Sequence, residues 1–218
     1  MTLILLSAGI LLLLGGPVCA HRPVFPQARE PYDIPDPAIS LAIYRELGAG
    51  QVDYFRFSVP RQGMEFACQL MVPARSRSKD FRPVLVLIGP GLPDPGPEIP
   101  VAVPPGLGAE AEEWRDGGKF FEPFTQTSYR MGPKVRRHLP AGEWQLAVYH
   151  PPGTGGKYTL AVGERESWGW RDLLRFPGLW LRIRWWYNPG QTVAAILAGL
   201  ALAAFSARRL AKFLGGRG

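Results

Sequence analysis

The chain is poor in the residues that carry most enzyme chemistry. Its 218 residues contain three histidines, two cysteines and a single asparagine. Asn188 is followed by Pro189, so no N-glycosylation acceptor exists. HExxH, CxxC, GxSxG and phosphate-loop patterns are all missing, which argues against zincin, thiol-redox, α/β-hydrolase and nucleotide-binding chemistry. A Ser-His-carboxylate site would have to draw on His138 or His150, each in a run that alternates like a strand. Cys19 lies in a segment expected to be removed, so only Cys68 remains and no disulfide is expected. In "MEFACQLMV", Cys68 shares one face with Met64, Phe66, Leu70 and Val72, the pattern of a buried core thiol rather than a reactive one.

Charge of one sign is also lacking over most of the chain. Residues 21 to 167 carry 17 Lys and Arg against 17 Asp and Glu, so the formal +7 resides elsewhere. Residues 168 to 190 contribute +3 and the stretch after Ala207 adds +4. A basic footprint confined to the flanks of an apolar segment suits anionic lipid head groups and argues against nucleic acid as a partner.

Two long apolar runs mark the ends. Residues 3 to 14, "LILLSAGILLLL", followed by "GGPVCA", read as a signal peptide over residues 1–20 with a cut after Ala20. The preceding "MT" lacks the usual Lys or Arg, which leaves an uncleaved anchor as the other reading. From Trp185 to Ala207 no residue is charged, a length sufficient for a transmembrane helix, placed at 188–207. Flanking arginines are balanced on its two sides, so the signal peptide sets the orientation: the main domain extracytoplasmic, the basic tail 208–218 cytoplasmic.

Residues 21–38 hold five prolines and predict an extended arm. Period-two runs then follow at 39–47, 52–59, 64–72, 83–89, 134–139, 143–150 and 157–164, separated by Gly- and Pro-rich turns. No amphipathic helical run interrupts them before residue 168, so the spacing predicts an all-β fold, a jelly-roll-like antiparallel β-sandwich over 39–166. In "VDYFRFSV", Asp53, Phe55, Phe57 and Val59 share the inner face, with Asp53 expected at the sandwich edge bonding turn amides. The insertion 89–133 begins with seven prolines in 18 residues and continues with Trp114, Phe120, Phe121, Phe124 and Tyr129. Those aromatics either cover an open end of the sandwich or form a peptide- or carbohydrate-facing loop.

"GAGQVDYFRFSVPRQGMEFACQL" and "LPAGEWQLAVYH" resemble the opening and closing motifs of the bacterial pre-peptidase C-terminal domain, and "GGKYTLAV" repeats the second pattern. The resemblance spans residues 39 to 163, with Trp144 where tyrosine is usual. It implies a jelly-roll-like sandwich serving as a binding or accessory module. Such domains are appended to secreted peptidases, whereas this chain shows no peptidase segment.

Two metal readings stand beside it. A free N-terminal His21 could chelate copper through its amino group and imidazole, with His138 or His150 completing the site. Glu30, Asp33 and Asp36 offer oxygen ligands for calcium where the arm joins the sandwich, a position at which similar domains bind it, or they form a solvated acidic arm. Finally, in the basic aromatic segment 167–187, Leu179, Trp180, Ile183, Trp186 and Tyr187 follow helical spacing, with Arg182 and Arg184 turned away and Trp185 adjoining. That segment lies in the head-group region or packs on the sandwich, with Pro177-Gly178 separating it from "WRDLL". The expected protein is a non-enzymatic, membrane-anchored binding module with an unidentified protein or polymer partner; the alternative is an exported copper protein or copper-dependent enzyme.

Overall fold

A computed structural model describes residues 21–27, 31–75, 78–123, 125–151 and 154–215. The signal-peptide segment 1–20, Glu30 and Phe124 therefore lie outside the described residues. The period-two runs form strands: β3 (Leu41–Leu47), β4 (Asp53–Val59), β5 (Met64–Pro73), β6 (Val84–Gly89), β10 (Gly142–Tyr149) and β11 (Gly156–Val162). Around them the structure adds β1 (Arg22–Val24), β2 (Tyr32–Asp33), β7 (Gly108–Glu112) and β8 (Lys119–Glu122), and extends β9 to Thr127–Leu139.

The strands make two packed sheets. One has the order β1-β3-β11-β5-β9-β8 and the other β2-β4-β10-β6-β7. Pairing is antiparallel except at two edges, where β1 joins β3 and β2 joins β4 in parallel. The Pro-rich arm is thus not merely extended. A proline at an edge forfeits no ladder bond on its open side, so the arm adds one short strand to each sheet.

Alternation sends Phe55, Phe57 and Val59 of β4 inward, where Phe57 stacks on Phe66 of the opposite sheet at 4.7 Å. Trp144 is the largest fully buried side chain, and its indole N–H donates to the Pro140 carbonyl at 3.1 Å. Each such large apolar side chain stabilises the fold by about 1.5–3 kcal/mol relative to exposure. Gly89 lies against the Trp144 ring, where a Cβ would overlap it.

Asp53 is buried in this core rather than set at a turn. It accepts from Arg45 at 3.1 Å and from the Tyr158 hydroxyl at 2.5 Å, two long side chains brought to it from β3 and β11. Cys68 is buried as expected, and burial pushes its thiol pKa well up.

The insertion 89–133 is only partly a loop. Its residues Ile99, Val101, Val103 and Leu107 cover the outer face of the five-stranded sheet at Val84, Val86 and Ile88, and Ala102 N–H donates to the Tyr54 hydroxyl at 2.8 Å. Its remainder forms β7, β8 and the start of β9.

Two helices close the chain: α1 (Trp170–Tyr187) and α2 (Pro189–Gly215). Pro177 lies inside α1 without ending it, so Pro177-Gly178 does not divide the segment. The Pro189–Arg209 part of α2, 21 residues, is long and apolar enough to cross a membrane and is almost wholly exposed. The helix continues beyond it, so the first residues of the basic tail extend the span as helix.

Candidate functional site

The part of the outer face of the six-stranded sheet that lies beside α1 is mostly apolar, while Glu65, Lys134, Arg136 and His138 occupy the same face farther along β5 and β9. In register across the apolar part stand Tyr44, Thr159, Met71 and Met131, and beside them Pro23, Ala42, Ala161 and Gln69. This part of the face would be an apolar exposure, and α1 covers some of it. Ile183 packs on Ala42 and Tyr44, while Trp186 and Tyr187 pack near Met71, Tyr129 and Ala161.

Polar bonds hold the helix there. Lys157 Nζ donates to the Trp186 carbonyl at 2.8 Å and Arg75 to the Tyr187 carbonyl, so two cations meet the negative end of the helix dipole. Arg184 donates to the carbonyls of Thr125 and Gln126, the β8–β9 turn in which Gln126 adopts a left-handed φ of 53°. Arg182 lies 4.5 Å over the Phe25 ring. Neither arginine is simply turned away to solvent.

The sheet face beside α1, together with α1 and Trp168 just before it, forms a cleft of ≈ 510 Å³. Its floor includes Ala42, Ala161, Met71 and Met131; Phe176, Ile183 and Trp168 stand over it; His21 is at one edge and Phe120 with Glu122 at the other. That volume falls in the usual range for ligand sites, roughly 300–1,000 Å³. The small side chains at Ala42 and Ala161 leave the space, since they are direct partners on neighbouring strands. Thr159 also lines it, with Oγ1 buried and no hydrogen-bond partner.

Of the aromatics expected in a binding loop, Phe120 and Tyr129 line the cleft. Phe121 points away from it and is exposed, while Trp114 packs against the core with Arg130 5.3 Å over its ring. Met71, Met131, Thr159, Trp168 and Phe176 were not foreseen. Their signal was available: "SLAIY", "CQLMV" and "YTLAV" are uncharged on both faces, the mark of strands covered on both sides.

The histidines are not brought together. Ser40 Oγ and His21 Nδ1 stand 2.5 Å apart, and burial lowers the His21 pKa against the raising pull of Glu166 and Glu164. Ser40 is buried, and neither glutamate hydrogen-bonds the imidazole, so the pair lacks the arrangement of an activated nucleophile. His138 pairs with Glu65 at 3.1 Å, and His150 bonds Thr154 Oγ1 at 2.8 Å beneath Phe81. Asp33 is engaged by Arg56 at 2.8 Å and Asp36 by Arg165 at 2.5 Å. Among the described residues no group of three or more His, Cys, Asp or Glu is arranged to hold a metal ion.

On α1, the face away from the sheet is also apolar. Trp170, Leu174, Leu181 and Trp185 are exposed and, at about 100° per residue, fall within a sector of roughly 60°. The side chains foreseen for the head-group region divide differently: Ile183, Trp186 and Tyr187 face the sheet, and Trp185 joins the outward stripe. Trp180 is half-buried.

No protein-family model and no curated protein matches the chain. Among solved structures, the pre-peptidase C-terminal domain of a collagenase from Bacillus anthracis is similar at 14% identity and TM-score 0.35, covering 63% of this chain and 98% of that one. PliG of Salmonella Typhimurium, a periplasmic inhibitor of g-type lysozyme, is similar at 10% identity and TM-score 0.32, covering 66% and 98%.

Proposed function

We propose that this chain is a non-enzymatic, single-pass membrane-anchored binding module that displays its sandwich outside the cytoplasm and takes an apolar group of its partner into the cleft under α1. The observation that carries this reading is the cleft itself, a largely apolar space of ≈ 510 Å³ roofed by the helix that leads into the span. Neutral charge over residues 21 to 167 suits recognition by shape and apolar contact rather than by steering. The copper alternative draws no support, since His21, His138 and His150 each have separate partners.

The full chain in digitonin, a detergent without flexible alkyl chains, should melt higher in naphthalene-2-sulfonate, used as a compact apolar probe. At a hundredfold excess over Kd the gain is about 2.7 kcal/mol, or roughly 5–10 °C for a domain of this size. The variant Ala161→Phe, which fills the cleft, should lose the shift. An equal shift in both proteins would sink the reading. For topology, protease added to spheroplasts should digest residues 21 to about 167 and spare the tail after Arg208; protection of the sandwich would overturn the extracytoplasmic placement.

A further inference from the structure

We propose that the ligand of the cleft is the hydrocarbon chain of a bilayer lipid. The inference rests on the binding-module reading and names the ligand of that same site.

Shape is the first reason. Residues from all six strands line the cleft, from Pro23 on β1 to Phe120 on β8. Five interstrand spacings of about 4.8 Å make it roughly 24 Å long. One leaflet of a bilayer has an acyl layer of about 15 Å, half of the hydrocarbon core. A single chain therefore fits along the cleft, whereas a compact ring would leave most of it empty.

Chemistry is the second. Ala42, Ala161, Met71, Met131, Phe176 and Ile183 offer non-directional contact, and methionine adapts to a flexible chain. Glu122, the carboxylate at the rim, is engaged by Thr125. A saccharide would leave hydroxyls unpaired against these walls, at a cost per group that such a cleft does not return. A peptide would leave its backbone polar groups unpaired as well, because the cleft lies on a sheet face rather than along an edge.

Access is the third reason. The wall of the cleft is α1, and the opposite face of α1 carries the exposed stripe Trp170, Leu174, Leu181 and Trp185. Only Asn188 separates α1 from α2: outside helical geometry at φ −154° and ψ 87°, it ends α1 by donating its N–H to the Arg184 carbonyl at 2.8 Å and opens α2 by accepting from Thr192 N–H at 3.1 Å. One helix is thus apolar toward both the cleft and its surroundings and is joined to the span through a single non-helical residue. Arg171 and Arg175 flank the outward stripe on one side, cations placed to meet head groups, while Arg182 and Arg184 hold the helix to the domain through Phe25 and the Thr125 and Gln126 carbonyls. A lipid chain beside the stripe has a short path around α1 into the space beneath it.

The test uses the full chain in vesicles of phosphatidylcholine and phosphatidylglycerol with a tracer lipid bearing a diazirine at its acyl terminus. After irradiation, peptide mass spectrometry should find label around Met71, Met131 and Phe176 as well as on α2. In Ala161→Phe the label in the cleft should fall at least fivefold while the α2 label, an internal control, stays constant. Ala161→Leu, a smaller filling, should give an intermediate loss, and cooperative unfolding of each variant shows that it is folded. Label confined to α2 and the outward stripe in the wild type overturns the proposal, as does label in the cleft that neither variant reduces. If that happens while naphthalene-2-sulfonate still stabilises the wild type alone, the cleft binds something other than a lipid chain; if neither probe engages it, both readings fall.

Discussion

Replacing Asp53 by alanine should be among the most damaging single changes in the domain. Its carboxylate accepts from the Arg45 guanidinium at 3.1 Å and the Tyr158 hydroxyl at 2.5 Å, with the Arg45 and Asp53 side chains only 7% and 9% exposed. Removing it leaves a desolvated cation without its carboxylate and a buried hydroxyl without its acceptor. Breaking such a buried pair from one side costs about 3–5 kcal/mol, which for a domain of this size lowers Tm by roughly 6–20 °C. Burial and the neighbouring carboxylate raise the Tyr158 pKa far above its ordinary value, so this hydroxyl remains a donor throughout any practical pH range. Asp53→Asn keeps an acceptor and loses the charge, so its cost should be smaller, about 1–3 kcal/mol. The assay is urea unfolding of the full chain in detergent, followed by tryptophan fluorescence, with the slope m checked for constancy. A double-mutant cycle with Tyr158→Phe should show a coupling of about 0.5–3 kcal/mol. A loss below about 1 kcal/mol for Asp53→Ala, or additive single changes, would refute the claim that the three side chains form one buried unit.

Gly89→Ala should cost about 1–3 kcal/mol in the same assay, because the new methyl overlaps the Trp144 ring; an unchanged midpoint would show that the ring moves freely. Thr159→Val should be neutral or slightly stabilising in the unliganded protein, since its buried hydroxyl has no partner to lose, and a loss above about 1.5 kcal/mol would reveal a bond to that hydroxyl. Cys68 should resist maleimide in the native state and react in urea, as read by peptide mapping; burial both hides the thiol and raises its pKa. Burial also lowers the pKa of His21 and of His150 from 6.5, so the unfolded chain takes up protons first. Stability is therefore full above that value and falls as the pH drops through the folded-state values. His21→Gln and His150→Gln should each flatten the fall in Tm between about pH 7 and pH 5, and a steeper fall would contradict the sign.

The period-two runs were legible because alternation writes the inner face directly: Phe55, Phe57 and Val59, or Phe66, Cys68 and Leu70, could pack only one way. The arm's edge strands are not legible in the sequence, because prolines argue against ladders in general and not against edges, where β1 and β2 lie. In the insertion, prolines hid a second role: Ile99, Val101 and Val103 are a cover for the five-stranded sheet, a function that depends on Val84, Val86 and Ile88 far away in the chain. The burial of Asp53 is not legible in the sequence, because its partners, Arg45 and Tyr158, come from other strands and cannot be inferred locally.

By itself the sequence determined the sandwich, the buried Cys68, the neutral domain and an apolar segment long enough to cross a membrane, since periodicity, composition and run length are local properties of the chain. Tertiary structure alone decided the cleft. Ala42, Met71, Tyr129, Ala161 and Phe176 lie on five different elements and meet only through strand register and the seating of α1. It also decided which side of α1 faces the domain: the helix is apolar on two faces, so its spacing cannot choose between them. Ile183, Trp186 and Tyr187 find complementary surface at Tyr44, Met71 and Tyr129, which leaves Trp170, Leu174, Leu181 and Trp185 facing outward.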